Sequence, residues 1–115
     1  MTALSLALSA FTIVAIMGLI QALDVFRGAY TDKTFAVAHG LLSLVGSAIV
    51  IIATLTGGDE RAWINIGLAV VILGLGLLLS KRRSEGLPIK TLVVAHGGLA
   101  VVCYAWLAFI VFVKA

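Results

Sequence analysis

Charge is scarce in this chain: of 115 residues only 11% are Asp, Glu, Lys or Arg and 63% are hydrophobic, whereas soluble domains run to roughly a quarter charged and half apolar. That balance excludes a water-soluble domain. A single proline adds to the departure from the soluble norm. The lone cysteine, Cys103, has no partner for an intrachain disulfide, says nothing about redox compartment, and reads as a small packing residue. All five acids, Asp24, Asp32, Asp59, Glu60 and Glu85, fall in loops or at helix ends. A net charge of +3 resides in segments that flank apolar runs, so no basic face exists for nucleic acid.

What is present is apolar sequence in four runs: Leu4 to Leu23, Phe35 to Leu55, Ile64 to Leu79 and Leu92 to Val113. Most are near the roughly 20 residues that cross a bilayer core. The first lacks the basic leader of a secretory signal and is too long for one, so it reads as a retained helix. None shows the period-two alternation of a barrel strand, and backbone amides in lipid must be satisfied within each segment. The expected fold is an all-α integral membrane four-helix bundle, up and down, over residues 1–115 as one domain, with spans at about 3–23, 35–55, 62–80 and 91–113.

Basic residues concentrate in two loops, 24–33 and 81–90, which hold Arg27, Lys33, Lys81, Arg82, Arg83 and Lys90, against Arg61 and Lys114 on the other side. The positive-inside bias turns those loops toward the cytoplasm and both termini outward, as in a bacterial-type inner membrane. Trp63, Trp106 and Phe109 then suit the outer aromatic belt and Tyr30 the inner interface. The Lys81-Arg82-Arg83 cluster is chiefly a topology signal.

Shifted by 57 positions, Lys33 to Leu42 superposes on Lys90 to Leu99 with seven of ten residues identical, including the Lys-Thr and His-Gly pairs. The chain therefore reads as two tandem helical-hairpin repeats, about 1–57 and 58–115, each carrying one of its only two histidines, His39 and His96. Two halves of even span number are parallel repeats, so the histidines share one depth. Each lies six residues past its loop lysine, roughly 9 Å into its helix.

An ionisable residue at that depth is by default functional. In an up-down bundle the second and fourth helices are diagonal, about 11 to 14 Å apart, too far for their imidazoles to hydrogen-bond but suited to a metal between them. The reading is one haem b, with His39 and His96 as axial ligands to the iron. Gly40, Gly97, Gly98, Gly46 and Cys103 are expected to leave room for the ring. Lys33, Lys90, Arg27, Arg82, Thr34 and Thr91 are candidate propionate contacts. Without a Cys-x-x-Cys-His motif the attachment is non-covalent, and two axial ligands favour electron transfer over oxygen chemistry.

Other readings stand beside it. A lone membrane histidine is more often an interhelical hydrogen-bonding residue. A chlorophyll takes one axial histidine, and a copper or zinc site lacks further ligands. Gly67 and Gly74, seven apart in the third span, point to close helix packing within the bundle or across a dimer. Gln21 and Asn65 read most simply as snorkelling or capping residues near the membrane edges, with donation to a quinone carbonyl as the alternative.

With a His-Gly pair near the same end of two parallel helices, His39-Gly40 and His96-Gly97, the chain resembles the small membrane-embedded b-type cytochromes, namely the superoxide oxidase-like four-helix proteins and the haem-bearing anchors of succinate dehydrogenase. The resemblance is architectural and spans the whole chain. It implies electron exchange with a quinone pool or a redox partner, an electron-transfer protein rather than a stand-alone enzyme, and leaves a homo-oligomer or a place in a larger complex open. Diheme members carry two histidine pairs where this chain has one, so the outer half lacks an equivalent site. The alternatives are a small accessory or structural subunit and a small proton-coupled transporter, whose usual membrane-embedded carboxylate this chain lacks.

Overall fold

The computed structural model describes residues 2–113. They form four helices, α1 (Ala3–Arg27), α2 (Lys33–Leu55), α3 (Ala62–Ser84) and α4 (Lys90–Phe112). Each is long and apolar enough to cross a membrane. A helix of 23 residues is about 34 Å long, a little more than the bilayer core.

The helices begin or end up to about a turn and a half outside the apolar runs. α1 continues through Asp24 to Arg27, α2 starts at Lys33 and α3 carries Lys81, Arg82 and Arg83 in its last turn. Local chemistry sets those limits. Thr2 accepts from the Ser5 amide to start α1, and Asp32 accepts from the Thr34 and Phe35 amides at 2.8 and 3.2 Å to start α2, each satisfying a free first-turn donor. Gly28 closes α1 at φ 68°, its N–H returned to the carbonyls of Asp24 and Val25, a left-handed cap that glycine takes without steric cost. Cationic residues at the ends of α1 and α3 also complement the negative end of each helix dipole.

The bundle measures 45 × 21 × 20 Å. Neighbours are α1 with α2, α2 with α3, α3 with α4 and α4 with α1; among the described residues the backbones of α2 and α4, and those of α1 and α3, stay apart. α2 and α4 are thus diagonal, as expected, and the α2–α3 seam is the thinnest. Leucine, isoleucine and valine side chains such as Ile16, Leu41, Val70, Leu77 and Val101 stand exposed around the outside. A surface of that kind calls for an apolar surrounding.

Packing is uneven along the axis. The tightly buried cluster, Ala7, Leu8, Val50, Ala62, Leu107 and Ile110, lies in the half that carries the chain termini. In the half that carries the loops 28–32 and 85–89, Val93 is the only buried hydrophobic among the described residues. A clasp closes the termini end. The Arg61 guanidinium pairs with Asp59 at 2.6 Å, donates to the Val113 carbonyl at 3.1 Å and lies 5.6 Å from the Phe109 ring centroid. The Arg61 carbonyl accepts from the Trp106 indole at 2.9 Å, and Trp106 stacks on Phe109. Lys114, assigned to this end from the sequence, lies outside the described residues.

Candidate functional site

His39 and His96 are each the seventh residue of their helix, α2 from Lys33 and α4 from Lys90. That common register brings them to one level on the bundle diagonal. Their ring centroids are 6.4 Å apart with planes at 63°. They do not hydrogen-bond to each other.

Each ring rests on a glycine of the preceding helix. A Cβ built on Gly18 of α1 would stand 3.1 Å from Cε1 of His39, and one built on Gly76 of α3 would stand 3.1 Å from Cε1 of His96. Any side chain there would crowd the ring. Four residues before each glycine lies the backbone carbonyl that faces the same ring, Val14 for His39 and Ile72 for His96. The Ile72 carbonyl is 2.9 Å from His96 Nδ1. A carbonyl only accepts, so Nδ1 is the protonated nitrogen and Nε2 keeps the lone pair. At His39 the same approach stops short of a hydrogen bond, and Nδ1 is buried with no partner.

Gly18, Gly76 and the two carbonyls escaped the sequence reading. Their signal was there in part: Gly18 precedes His39 by 21 residues and Gly76 precedes His96 by 20. The one-residue difference hides the match from a search at a fixed shift of 57.

Of the residues expected to make room beside the histidines, Gly46 and Cys103 each meet a side chain of a neighbouring helix. Gly46 gives its space to Phe11, whose Cζ would lie 3.0 Å from an added Cβ. Cys103 is engaged by Asn65, which donates from Nδ2 to the Cys103 carbonyl at 2.9 Å and to its Sγ at 3.4 Å. Gly40, Gly97 and Gly98 have nothing within 4 Å of an added Cβ. They flank the histidines in sequence, and the space beside them is open.

The cationic candidates stay at the loop end, a turn or two from the rings, and are not gathered onto them. Arg27 Nε donates to the Leu23 carbonyl at 3.3 Å, Arg82 Nε to the Pro88 carbonyl at 3.2 Å, and Lys90 Nζ lies 5.9 Å from the Phe26 ring centroid. Lys33, Thr34 and Thr91 are exposed. Thr34 spends its backbone amide on Asp32.

Asn65 corrects another expectation. It is 3% exposed and bridges α3 to α4, so it neither snorkels nor caps. The reason is local: α3 starts with Ala62 fully buried, which draws the first turn into the bundle. Gln21 is half-buried and reaches only the Met17 carbonyl of its own helix, at 3.4 Å. Gly67 and Gly74 lie on the exposed face of α3 with nothing within 4 Å of an added Cβ, so they do not serve packing within the bundle.

Among the described residues no three His, Cys, Asp or Glu side chains gather as a small metal ion would need. No family model matches the chain, and no curated protein or solved structure matches it.

Proposed function

We propose that the protein is a membrane b-type cytochrome that holds one haem b between His39 and His96 and passes electrons between a quinone pool or redox partner and the haem. The observation that carries this reading is the disposition of the two rings. Imidazoles bound on opposite sides of one metal, with bonds of about 2.0 to 2.1 Å and ring nitrogens about 1.1 Å from their centroids, have centroids a little over 6 Å apart. The rings stand at 6.4 Å. Their mutual rotation of 63° is free for two ligands that share an axis.

The surroundings support it in two ways. Metal-bound histidines almost always give their second ring N–H to a carbonyl or carboxylate, and His96 does so with Ile72. The half of the bundle around the pair lacks the tight core of the other half, which suits a site whose largest hydrophobic component is a bound group. A haem so held would supply one-electron transfer, with its potential tuned by the two axial ligands and the apolar surroundings. The protein's own part is to fix the rings, keep water away and limit rearrangement.

The matching starts of α2 and α4 at Lys33 and Lys90 fit two tandem hairpins, each supplying one ligand from an equivalent place. The excess of Lys and Arg at the loop end favours an orientation with that end, and the haem, toward the cytoplasm and the termini outside. The test is uptake by the purified protein: haem b should bind at one per chain, and binding should be lost when both histidines are replaced by alanine. No uptake by the intact protein would refute the reading.

A further inference from the structure

His39 and His96 are held by the same device, a glycine that uncovers a carbonyl. In an α-helix the carbonyl of residue i accepts from the amide of residue i+4, and the side chain of i+4 leans back over that turn. Gly18 stands four residues after Val14, and Gly76 four residues after Ile72. Having no side chains, these glycines leave the two carbonyls open to a ring from the next helix. Each carbonyl keeps a second lone pair after its own helical bond.

We propose that Gly18 with Val14 and Gly76 with Ile72 are paired positioning seats, which take the Nδ1–H of His39 and His96 and so turn both Nε2 atoms to the ligand. The proposal rests on the haem reading given above, but the seats are properties of the chain alone. His96 is already seated, at 2.9 Å from the Ile72 carbonyl. His39 is not, and its buried Nδ1 has no other partner. A buried donor in an apolar bundle has no water to satisfy it, so His39 is the ring that closes onto its seat when the ligand is taken up.

Two arms test this, and they separate it from the haem reading. In the first, haem-free protein with 15N-labelled histidine rings is studied by NMR, with His39→Gln and His96→Gln variants assigning the signals. His96 should be a single tautomer with Nδ1 protonated and His39 a mixture; Gly76→Ala should mix the His96 tautomers, because the added Cβ pushes the ring from the carbonyl. Equal tautomer mixtures at both rings, or a His96 ring indifferent to Gly76→Ala, would overturn the proposal whether or not haem binds.

In the second arm the haem-loaded protein is followed as it loses haem to an excess of apomyoglobin. Gly18→Ala and Gly76→Ala should each release haem 10- to 100-fold faster, the usual cost of losing a ligand's outer partner, while Gly67→Ala and Gly74→Ala should not change it. Both rings of the loaded protein should then report a protonated Nδ1. Unchanged release from both seat variants, or a His39 Nδ1 without its proton in the loaded protein, would overturn it. Alanine favours helix over glycine, so failure to fold is not the expected confounder. Protein that never takes up haem refutes the haem reading, and the first arm still decides the seats.

Discussion

The side-chain amide of Asn65 donates to the backbone carbonyl of Cys103 at 2.9 Å across the α3–α4 contact, while its own Oδ1 is buried without a partner. The orientation is fixed, since turning the amide over would set two carbonyl oxygens against each other. A hydrogen bond between membrane helices is worth about 0.6 kcal/mol on average, and a buried unsatisfied acceptor costs about 1 to 3 kcal/mol. The residue therefore gains little net stability. A cavity of about 60 Å³ beside it, lined by Ser47, Val50, Ala69 and Cys103, offers space for a larger apolar side chain.

Asn65→Leu is accordingly expected to leave stability within about 1 kcal/mol of the parent or to raise it. Asn65→Asp should be markedly destabilising, because a carboxylate has nothing to donate to the Cys103 carbonyl. Unfolding of both variants in mixed micelles checks the order. A strongly destabilised leucine variant would mean that the Oδ1 atom is satisfied in the membrane by something that the bundle alone does not supply.

A second prediction concerns the clasp just before the start of α3. Hydrogen bonds from Arg61 hold the Asp59 carboxyl at about 2, below its ordinary 3.8, and raise the Arg61 guanidinium in turn. A depressed carboxyl contributes its stability in full above the unfolded value and loses it as pH falls through the folded value. The contribution should thus be constant above about pH 4 and fade toward pH 2. It is small, because the pair is solvent-exposed. Thermal unfolding of Asp59→Asn should show a shallower slope than the parent between pH 2 and 4, with the two curves parallel above it. Identical slopes in that window would remove the ion pair from the account.

The four helices and their order were legible because apolar length is a strong signal, and the diagonal pairing of α2 with α4 followed from short loops alone. Helix limits were less so: hydropathy stops where Asp24, Lys33 and Lys81 begin, whereas the backbone runs on to caps such as Asp32 and Gly28. At the site, the two histidines could be read from depth and register. The seats could not, because Val14 and Ile72 act through main-chain atoms that any residue possesses. Nor could the fate of Gly46 and Cys103, whose space depends on what a neighbouring helix inserts: Phe11 in one case and Asn65 in the other.

Gly67 and Gly74 face outward with open space around an added Cβ. Glycine within a helix is destabilising by roughly 0.5 to 1 kcal/mol relative to alanine. Gly67→Ala and Gly74→Ala should therefore each stabilise a monomer by up to about that amount in detergent unfolding. Loss of stability, together with a smaller particle in native mass spectrometry, would instead show that the face meets a second chain.

Orientation can be tested with single cysteines in a Cys103→Ala background. Lys81, Arg82 and Arg83 beside the α3–α4 loop predict that Ser84→Cys is shielded from a membrane-impermeant thiol reagent in intact cells and that Glu60→Cys is labelled. The reverse pattern would place the histidine level nearest the outer face.

The central claim is that His39 and His96 together bind one haem, and the visible spectrum of the purified protein, oxidised and then reduced with dithionite, tests it most directly. The account predicts a low-spin b-type spectrum with sharpened bands on reduction, and loss of the low-spin character in both His39→Ala and His96→Ala. A colourless preparation that stays colourless after haem is supplied, or a low-spin spectrum that survives both substitutions, would contradict it.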